Sequence, residues 1–373
     1  MSIRTAINGF GRIGRTAFKI AIDKYQDPST SLGTGKIEIV AINDLTDPKT
    51  LVHLLKYDSN YGIWKHPLDF ARDREITSDD KNIIIDGKSY QVLAEKEPEK
   101  LPWKDLKVEV VIESTGKFTD AESAGKHLKA GAKRVIISAP VHGNHTSEES
   151  PSTSLGTSEP TSEVRTYILG VNGSKYSGEE IISNASCTTN CIAPIAAVMN
   201  LKFGILKAMM TTVHGYTADQ NLQDGPHKDL RRARSAAENI VPTTTGAAIA
   251  TTETIPELKG LFDGAAIRVP VPVGSISDFT FLLKKKVTVE EVNQAFKEVS
   301  ANPLFSNILA VTEDPVVSSD IVGRPESAIV DLSLTQVVDG DMVKVFAWYD
   351  NEFGYSNRLV EQVLNVGRSL NHE

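Results

Sequence analysis

The sequence predicts an α/β protein: a doubly wound, largely parallel sheet followed by a second unit of mixed strands and helices. Three observations predict it. Apolar runs of strand character at Ile3–Asn8, Ile37–Ile42, Val108–Glu113 and Arg134–Ser138 alternate with helical patterns over 15–25 and 121–130. A Gly-x-Gly-x-x-Gly run joins the first strand to the first helix. The length of 373 residues corresponds to about two domains at roughly 100–200 residues each.

The first strand, Ile3–Asn8, runs into Gly9-Phe10-Gly11-Arg12-Ile13-Gly14 and then the helical stretch 15–25. Glycines at this spacing let backbone approach a pyrophosphate, which then sits on the helix N-terminus. Alone, such a run is a weak signal, and the second strand strengthens it. That strand ends in Asn43-Asp44. An acid there meets the ribose hydroxyls of an adenosine and repels a 2′-phosphate, which predicts NAD rather than NADP. The plain alternative is a loop acid that caps or is solvated.

The composition is that of a globular chain, with 40% apolar and 24% charged residues. A net charge of −8 argues against nucleic acid or an anionic membrane as the main partner. No apolar run approaches 18 residues, the opening MSIRTAINGFGRIG is not a signal peptide, and two cysteines fit a reducing compartment, so a cytoplasmic protein is expected. The triplets starting at Asn144, Asn172 and Asn184 match glycosylation acceptors and read as chance in that setting. PSTSLGT occurs twice, at Pro28–Thr34 and Pro151–Thr157, each time within polar, Ser/Thr-rich sequence that reads as surface insertion, the second between the Arg134–Ser138 strand and a strand expected at Tyr167–Asn172.

Both cysteines lie in SNASCTTNCIAP, Ser183–Pro194. Cys-x3-Cys without a second pair or nearby histidines is poor zinc spacing, and no metal site is expected. A disulfide within one helical turn is geometrically poor. The strand-like 180–184 is followed by a helix beginning at CTTNC, with Pro194 expected to kink or shorten it. Cys187 then sits at a helix N-terminus, where the dipole favours a thiolate, with Cys191 one turn deeper. One nucleophile beside a buried thiol, or two packed cysteines, both fit these residues.

A nucleophilic thiol needs a base. His214 ends the strand-like run at 209–213, 27 residues beyond Cys187, and is either that base or a structural histidine. Arg231, Arg232 and Arg234, the turn Thr243-Thr244-Thr245-Gly246, and Arg268 supply guanidinium, hydroxyl and amide donors suited to phosphate, or else a solvated basic loop.

At this point the chain resembles the phosphorylating glyceraldehyde-3-phosphate dehydrogenases. NGFGRIGR, AIND, SNASCTTNC, TTVHGYT, HKDLRRAR, TTTGAA, IRVP and AWYDNEFGYSNR carry the resemblance almost end to end, the two inserts excepted. It implies a Rossmann NAD-binding domain, residues 1–186 with 352–373, and a mixed α/β catalytic domain, 187–351, the last helix returning to the first domain. It implies Cys187 as nucleophile and His214 as base. Gly9, Gly11, Arg12, Ile13, Asp44 and Ser138 would hold NAD, and Asn351 would orient the nicotinamide carboxamide. Thr217, Arg232 and Arg268 would bind the substrate's C3 phosphate. Ser186, Thr188, Thr245 and Gly246 would bind inorganic phosphate, with Arg268 helping at both sites. The implied reaction takes glyceraldehyde 3-phosphate to 1,3-bisphosphoglycerate through a thiohemiacetal and a thioester on Cys187. A loop resembling the family's S-loop, about 216–239, implies a homotetramer. The departures are the inserts and Phe353, where the family often has Thr or Trp. Erythrose-4-phosphate dehydrogenase is the nearest rival, and Thr217 with the TTTGAA turn looks unlike it. A redox sensor is the rival of another class.

Overall fold

Two sheets, each with its own apolar core, organise the chain. The computed structural model describes residues 2–26, 36–66, 69–141 and 164–370. Both PSTSLGT copies and the triplet at Asn144 lie outside them.

The first sheet has nine strands, in the order Arg165–Thr166, Ile181–Ser183, Arg134–Ile137, Val110–Glu113, Ser2–Asn8, Lys36–Asn43, Lys88–Leu93, Asn82–Ile85, Ile76–Ser78. The first seven run parallel and the last two return as antiparallel hairpins. The strand order reverses beside Ser2–Asn8, where the connection to Lys36–Asn43 passes on one side and later strands stack on the other. Such a switch point opens a crevice at the carboxyl ends of the strands. Three helices connect the strands: α1 (Arg12–Ile20), extended by a wider π-helical stretch to Gln26, α2 (Pro48–Lys56) and α3 (Ala121–Lys129). Asp47 caps α2 and Asp120 caps α3 through their side chains, which ends both preceding loops where the sequence turns polar.

The second sheet runs Val241–Thr243, Phe262–Val269, Ile205–Gly215, Ser275–Leu283, Met342–Tyr349, Ala328–Asp331, Leu309–Thr312. One face is covered by α4 (Cys187–Phe203), α5 (Ala247–Thr254) and α6 (Val289–Ser300). Period-two alternation sets this up: in Ser275–Leu283 every second residue is buried. The last helix, α7 (Phe353–Ser369), returns to the first sheet, packing Tyr355, Leu359, Val360 and Val363 among Ile3, Ile7 and Phe10.

Two expectations fail. Helix α4 runs through Pro194 to Phe203 without shortening. Twelve of the 17 residues of α4 are buried, Thr188 to Ala196 without a break, so packing around Pro194 outweighs one lost backbone hydrogen bond. The strand expected at Tyr167–Asn172 is only Arg165–Thr166. Asn172 takes the Ile168 N–H on its carbonyl oxygen and donates to Thr166 O, closing a turn instead. Among the described residues, no helix is long and apolar enough to cross a membrane.

Candidate active site

The strand Ile181–Ser183 reverses into α4 within three residues. Ala185 makes the turn with φ +52°, a left-handed conformation that costs a non-glycine residue energy. It is held there. Tyr355 donates its hydroxyl to Ala185 O (2.9 Å), and Ala185 N–H donates to Ser183 Oγ (2.9 Å). Ser186 is the N-cap, accepting the Thr189 N–H (3.1 Å), and Asn190 donates back to Asn184 O and Ser186 O. Cys187 is thereby fixed as the first residue of the helix. It is half-buried and packs against both cores, whereas Cys191 is fully buried.

His214 and Arg268 are direct neighbours on adjacent parallel strands. Cys187 Sγ lies 3.3 Å from His214 Nε2. His214 Nδ1 is 2.6 Å from Gly215 O and 2.6 Å from Arg268 Nη1. It can donate to the carbonyl or accept from the guanidinium, but not both at once. In the first state Nε2 presents a lone pair to the thiol; in the second it points a proton at the sulfur. The pocket therefore admits either neutral tautomer; taking the thiol proton needs the first, and the imidazolium formed keeps its Nδ1–H on Gly215 O. Burial, then the charge of Arg268, pushes the imidazole pKa down to about 3, so the ring is neutral near pH 7. Burial pushes the Cys187 thiol up while Arg268 pulls against it. The resting pair is thiol and imidazole.

This has a stability consequence. A histidine kept neutral in the fold loses stability relative to the unfolded chain as pH falls below the ordinary value of 6.5, down through about 3. Above 6.5 both states are neutral and the effect is absent. Melting curves between pH 7.5 and 4.5 should show a smaller acid loss for His214→Gln than for the natural chain. Equal losses would place the acid sensitivity elsewhere.

Tyr349, absent from the expected set, completes the pocket. Its buried hydroxyl meets Thr188 Oγ1 (3.0 Å) and Thr212 Oγ1 (2.8 Å), and its ring stands edge-on to His214. Tyr349 and Tyr355 both lie in AWYDNEFGYSNR, the one hint the sequence offered.

The remaining expected residues divide into two groups. Arg232 bonds Thr243 Oγ1 (3.0 Å), Asp219 (2.5 Å) and Thr244 O (3.4 Å), tying the loop that begins at Thr217 to the turn before α5. Thr245 accepts the Ala247 N–H and Gly246 is the N-cap of α5, so this turn presents a helix N-terminus. The positive charge of Arg232 acts on Arg268, whose guanidinium is held below its ordinary value mainly by burial. Two guanidinium groups that repel each other invite an anion between them. Ser186 and Thr188 flank the thiol, their hydroxyls engaged as described.

The second group, apart from Asn351 beside the second sheet, lines the crevice of the first sheet. Gly9 has φ +92°, and a Cβ there would lie 2.6 Å from Thr115 N; one on Gly14 would lie 2.1 Å from Gly9 O. These two glycines let strand, helix and neighbouring loop close up. Gly11 faces open space, leaving room before the first N–H groups of α1 at Arg12 and Ile13, which have no partner within the helix. Asp44 accepts the Phe10 N–H (2.7 Å), so its carboxylate stands beside this loop. Ser138 ends its strand at the same edge. Asn351 gives its carbonyl oxygen to Gly274 N–H and Ser275 Oγ, leaving its amide N–H groups to offer. An anion-accepting helix end, a carboxylate and clear space fit a dinucleotide. Arg12 departs from a simple cofactor contact: its guanidinium is paired with Glu352 (2.5 Å) and Asp58 (3.3 Å), so what it can offer a cofactor is its backbone N–H.

Residues 3–121 match the family model for the glyceraldehyde 3-phosphate dehydrogenase NAD binding domain, and residues 186–351 match that for the C-terminal domain. The chain is 51% identical over 372 residues to the glyceraldehyde-3-phosphate dehydrogenase of Mycolicibacterium smegmatis, covering 99% of this chain and all of that one. Those of Streptomyces coelicolor and Mycobacterium tuberculosis H37Rv are 49% and 50% identical over the same span, again with 99% of this chain and 100% of the relative covered. The chain belongs to the glyceraldehyde-3-phosphate dehydrogenase family.

Proposed function

We propose that Cys187, His214 and Arg268 carry out the NAD-dependent oxidative phosphorylation of D-glyceraldehyde 3-phosphate. The chain is an NAD-dependent oxidoreductase of glycolysis, as its family and near-50% identity over its whole length support. The observation that carries the residue assignment is the 3.3 Å contact between Cys187 Sγ and His214 Nε2, with Arg268 behind the imidazole.

In this reading Arg232 and Thr217 hold the C3 phosphate, while Ser186, Thr188, Thr245 and Gly246 receive inorganic phosphate and Arg268 serves both. Cys187 sulfur adds to the aldehyde carbon as its proton passes to His214, which hands it on to the aldehyde oxygen to complete the thiohemiacetal. The thiohemiacetal hydroxyl would then give that proton back to the same nitrogen as hydride leaves the carbon. When bound, NAD supplies the hydride acceptor; Gly9, Gly11, Arg12, Ile13, Asp44 and Ser138 would hold it, with Asn351 orienting its carboxamide. The acyl group stays on sulfur as a thioester. Inorganic phosphate then attacks the acyl carbon, the C–S bond breaks with its electron pair going to sulfur, and 1,3-bisphosphoglycerate leaves as His214 returns its proton to Cys187.

The division into residues 1–186 with 352–373 and 187–351 is supported by the two separate cores. A homotetramer is supported by exposed Leu206, Met209 and Met342 on the face of the second sheet turned from its helices. A cytoplasmic location is supported by two free cysteines.

Absorbance at 340 nm with glyceraldehyde 3-phosphate, NAD and phosphate tests the reading. Sustained NADH formation should require phosphate. Turnover indifferent to phosphate, or faster with erythrose 4-phosphate, would overturn it.

A further inference from the structure

Beneath the dinucleotide crevice lies a buried polar ladder that the reaction does not use. Three adjacent parallel strands end at one level, with Asn8 in register with Glu113 on one side and Asn43 on the other. These three side chains and His127 on α3 are at most 5% exposed. Apolar residues would pack there without needing partners.

The ladder is continuous. Trp103 Nε1–H donates to His127 Nδ1 (2.9 Å), and His127 Nε2 meets Glu113 Oε2 (3.0 Å). Asn8 Nδ2 donates to the same oxygen (2.5 Å) and Asn43 Nδ2 donates to Asn8 Oδ1 (2.7 Å). Asn43 and Glu95 then exchange two hydrogen bonds, both 2.9 Å. The other oxygen of Glu113 accepts from Thr115 N–H (2.8 Å) and the Thr115 hydroxyl.

Every direction in this chain is determined. An indole N–H only donates, so His127 Nδ1 accepts and the proton is on Nε2, aimed at the carboxylate. Glu113 takes the His127 Nε2–H and the Asn8 Nδ2–H on one oxygen and the Thr115 N–H on the other, which turns the Asn8 NH2 toward Glu113 and its oxygen toward Asn43. Neither amide can flip without breaking two links.

Each link begins a different loop of the crevice. Asn8 precedes the glycine loop, Asn43 precedes Asp44, Glu113 precedes Ser114-Thr115, and Glu95 follows the Lys88–Leu93 strand. Further bonds transmit the register upward: Gly9 N–H to Asn43 O (2.8 Å), Ser114 Oγ to Gly9 O (2.7 Å) and Asp44 N–H to Leu93 O (3.0 Å).

We propose that Glu113, oriented by His127, is a positioning residue that holds the four crevice loops in mutual register through Asn8 and Asn43, so that NAD affinity depends on it. The inference rests on the NAD reading above. It concerns cofactor binding and leaves the thiol chemistry untouched.

The test compares His127→Leu, Glu113→Gln and His127→Gln in the full chain. Calorimetric NAD titration, ligand-free melting and steady-state kinetics are measured on each. His127→Leu and Glu113→Gln should weaken NAD by about 10–100-fold, by analogy with the loss of an outer-shell hydrogen bond behind a metal ligand. In both, kcat at saturating NAD should stay within about threefold of the natural chain. His127→Gln keeps a donor toward Glu113 and should recover most of the affinity. Folded His127→Leu and Glu113→Gln proteins with natural NAD affinity would overturn the proposal, as would a fall in melting temperature and kcat without a change in affinity. If those two do not fold, Thr115→Val at the rim of the ladder decides: a several-fold weaker affinity supports it, an unchanged one overturns it. A natural chain that binds no NAD would instead remove the reading on which the proposal rests.

Discussion

Cys187→Ala is expected to lower NADH formation by about 10⁴-fold or more while leaving NAD binding and folding intact. The thiol forms and breaks every covalent bond in the reaction, and no neighbour can replace it. Cys191 is the nearest candidate and is fully buried, its sulfur directed at Ala347 O (4.0 Å) in the core of the second sheet. Burial also raises its thiol pKa, which removes it from the nucleophilic range. The fold should barely notice the change. Cys187 is half-buried at a helix N-terminus, and losing one sulfur there costs on the order of 1 kcal/mol. Absorbance at 340 nm, NAD titration and a melting curve on one preparation make the check. Activity within tenfold of the natural chain would end the case for Cys187 as nucleophile.

His214→Asn comes next, with kcat reduced by about 10²–10⁴-fold, the span usual for removing a general base. Asparagine is chosen because its amide can still meet Gly215 O or Arg268. Alanine would leave the Arg268 guanidinium facing a hole. In the natural chain the neutral imidazole can take the thiol proton; in the variant that proton must leave to water. The rate of Cys187 alkylation by iodoacetamide at pH 7 should therefore fall with kcat and recover as pH rises. If both rates stay near those of the natural chain, His214 is a structural histidine and the base lies elsewhere.

Much of the crevice was legible because its signals are local. The spacing of Gly9, Gly11 and Gly14 between strand and helix describes a backbone shape directly, and Asp44 follows at the next strand end. Cys187 at a helix start was legible for the same reason, since Ser186 and the following threonines are capping chemistry. What could not be read depends on contacts distant in sequence. The hydroxyl of Tyr349 meets Thr188 from 161 residues away, and Arg12 finds Glu352 from 340 residues away. Arg12 was expected at the cofactor on motif position alone, and the motif carries no information about its side-chain partner. Pro194 misled because a proline's penalty is local, while the packing that overrides it comes from the whole second core. Tyr167–Asn172 misled because apolar residues there matched a strand, while the Asn172 amide closes a turn. The ladder from Trp103 to Glu95 was invisible, since its members come from six separate stretches of chain.

Cys187 touches both cores, and the consequence reaches beyond chemistry. The sulfur belongs to neither half of the molecule: its helix is packed into one, its approach is set by Tyr355 on a helix of the other, and its base hangs from the second sheet. The reactive geometry exists only while the two halves are docked. Mild denaturant that loosens their seam would silence the thiol while each core still holds its secondary structure, so catalytic competence is a report on docking before it is a report on folding.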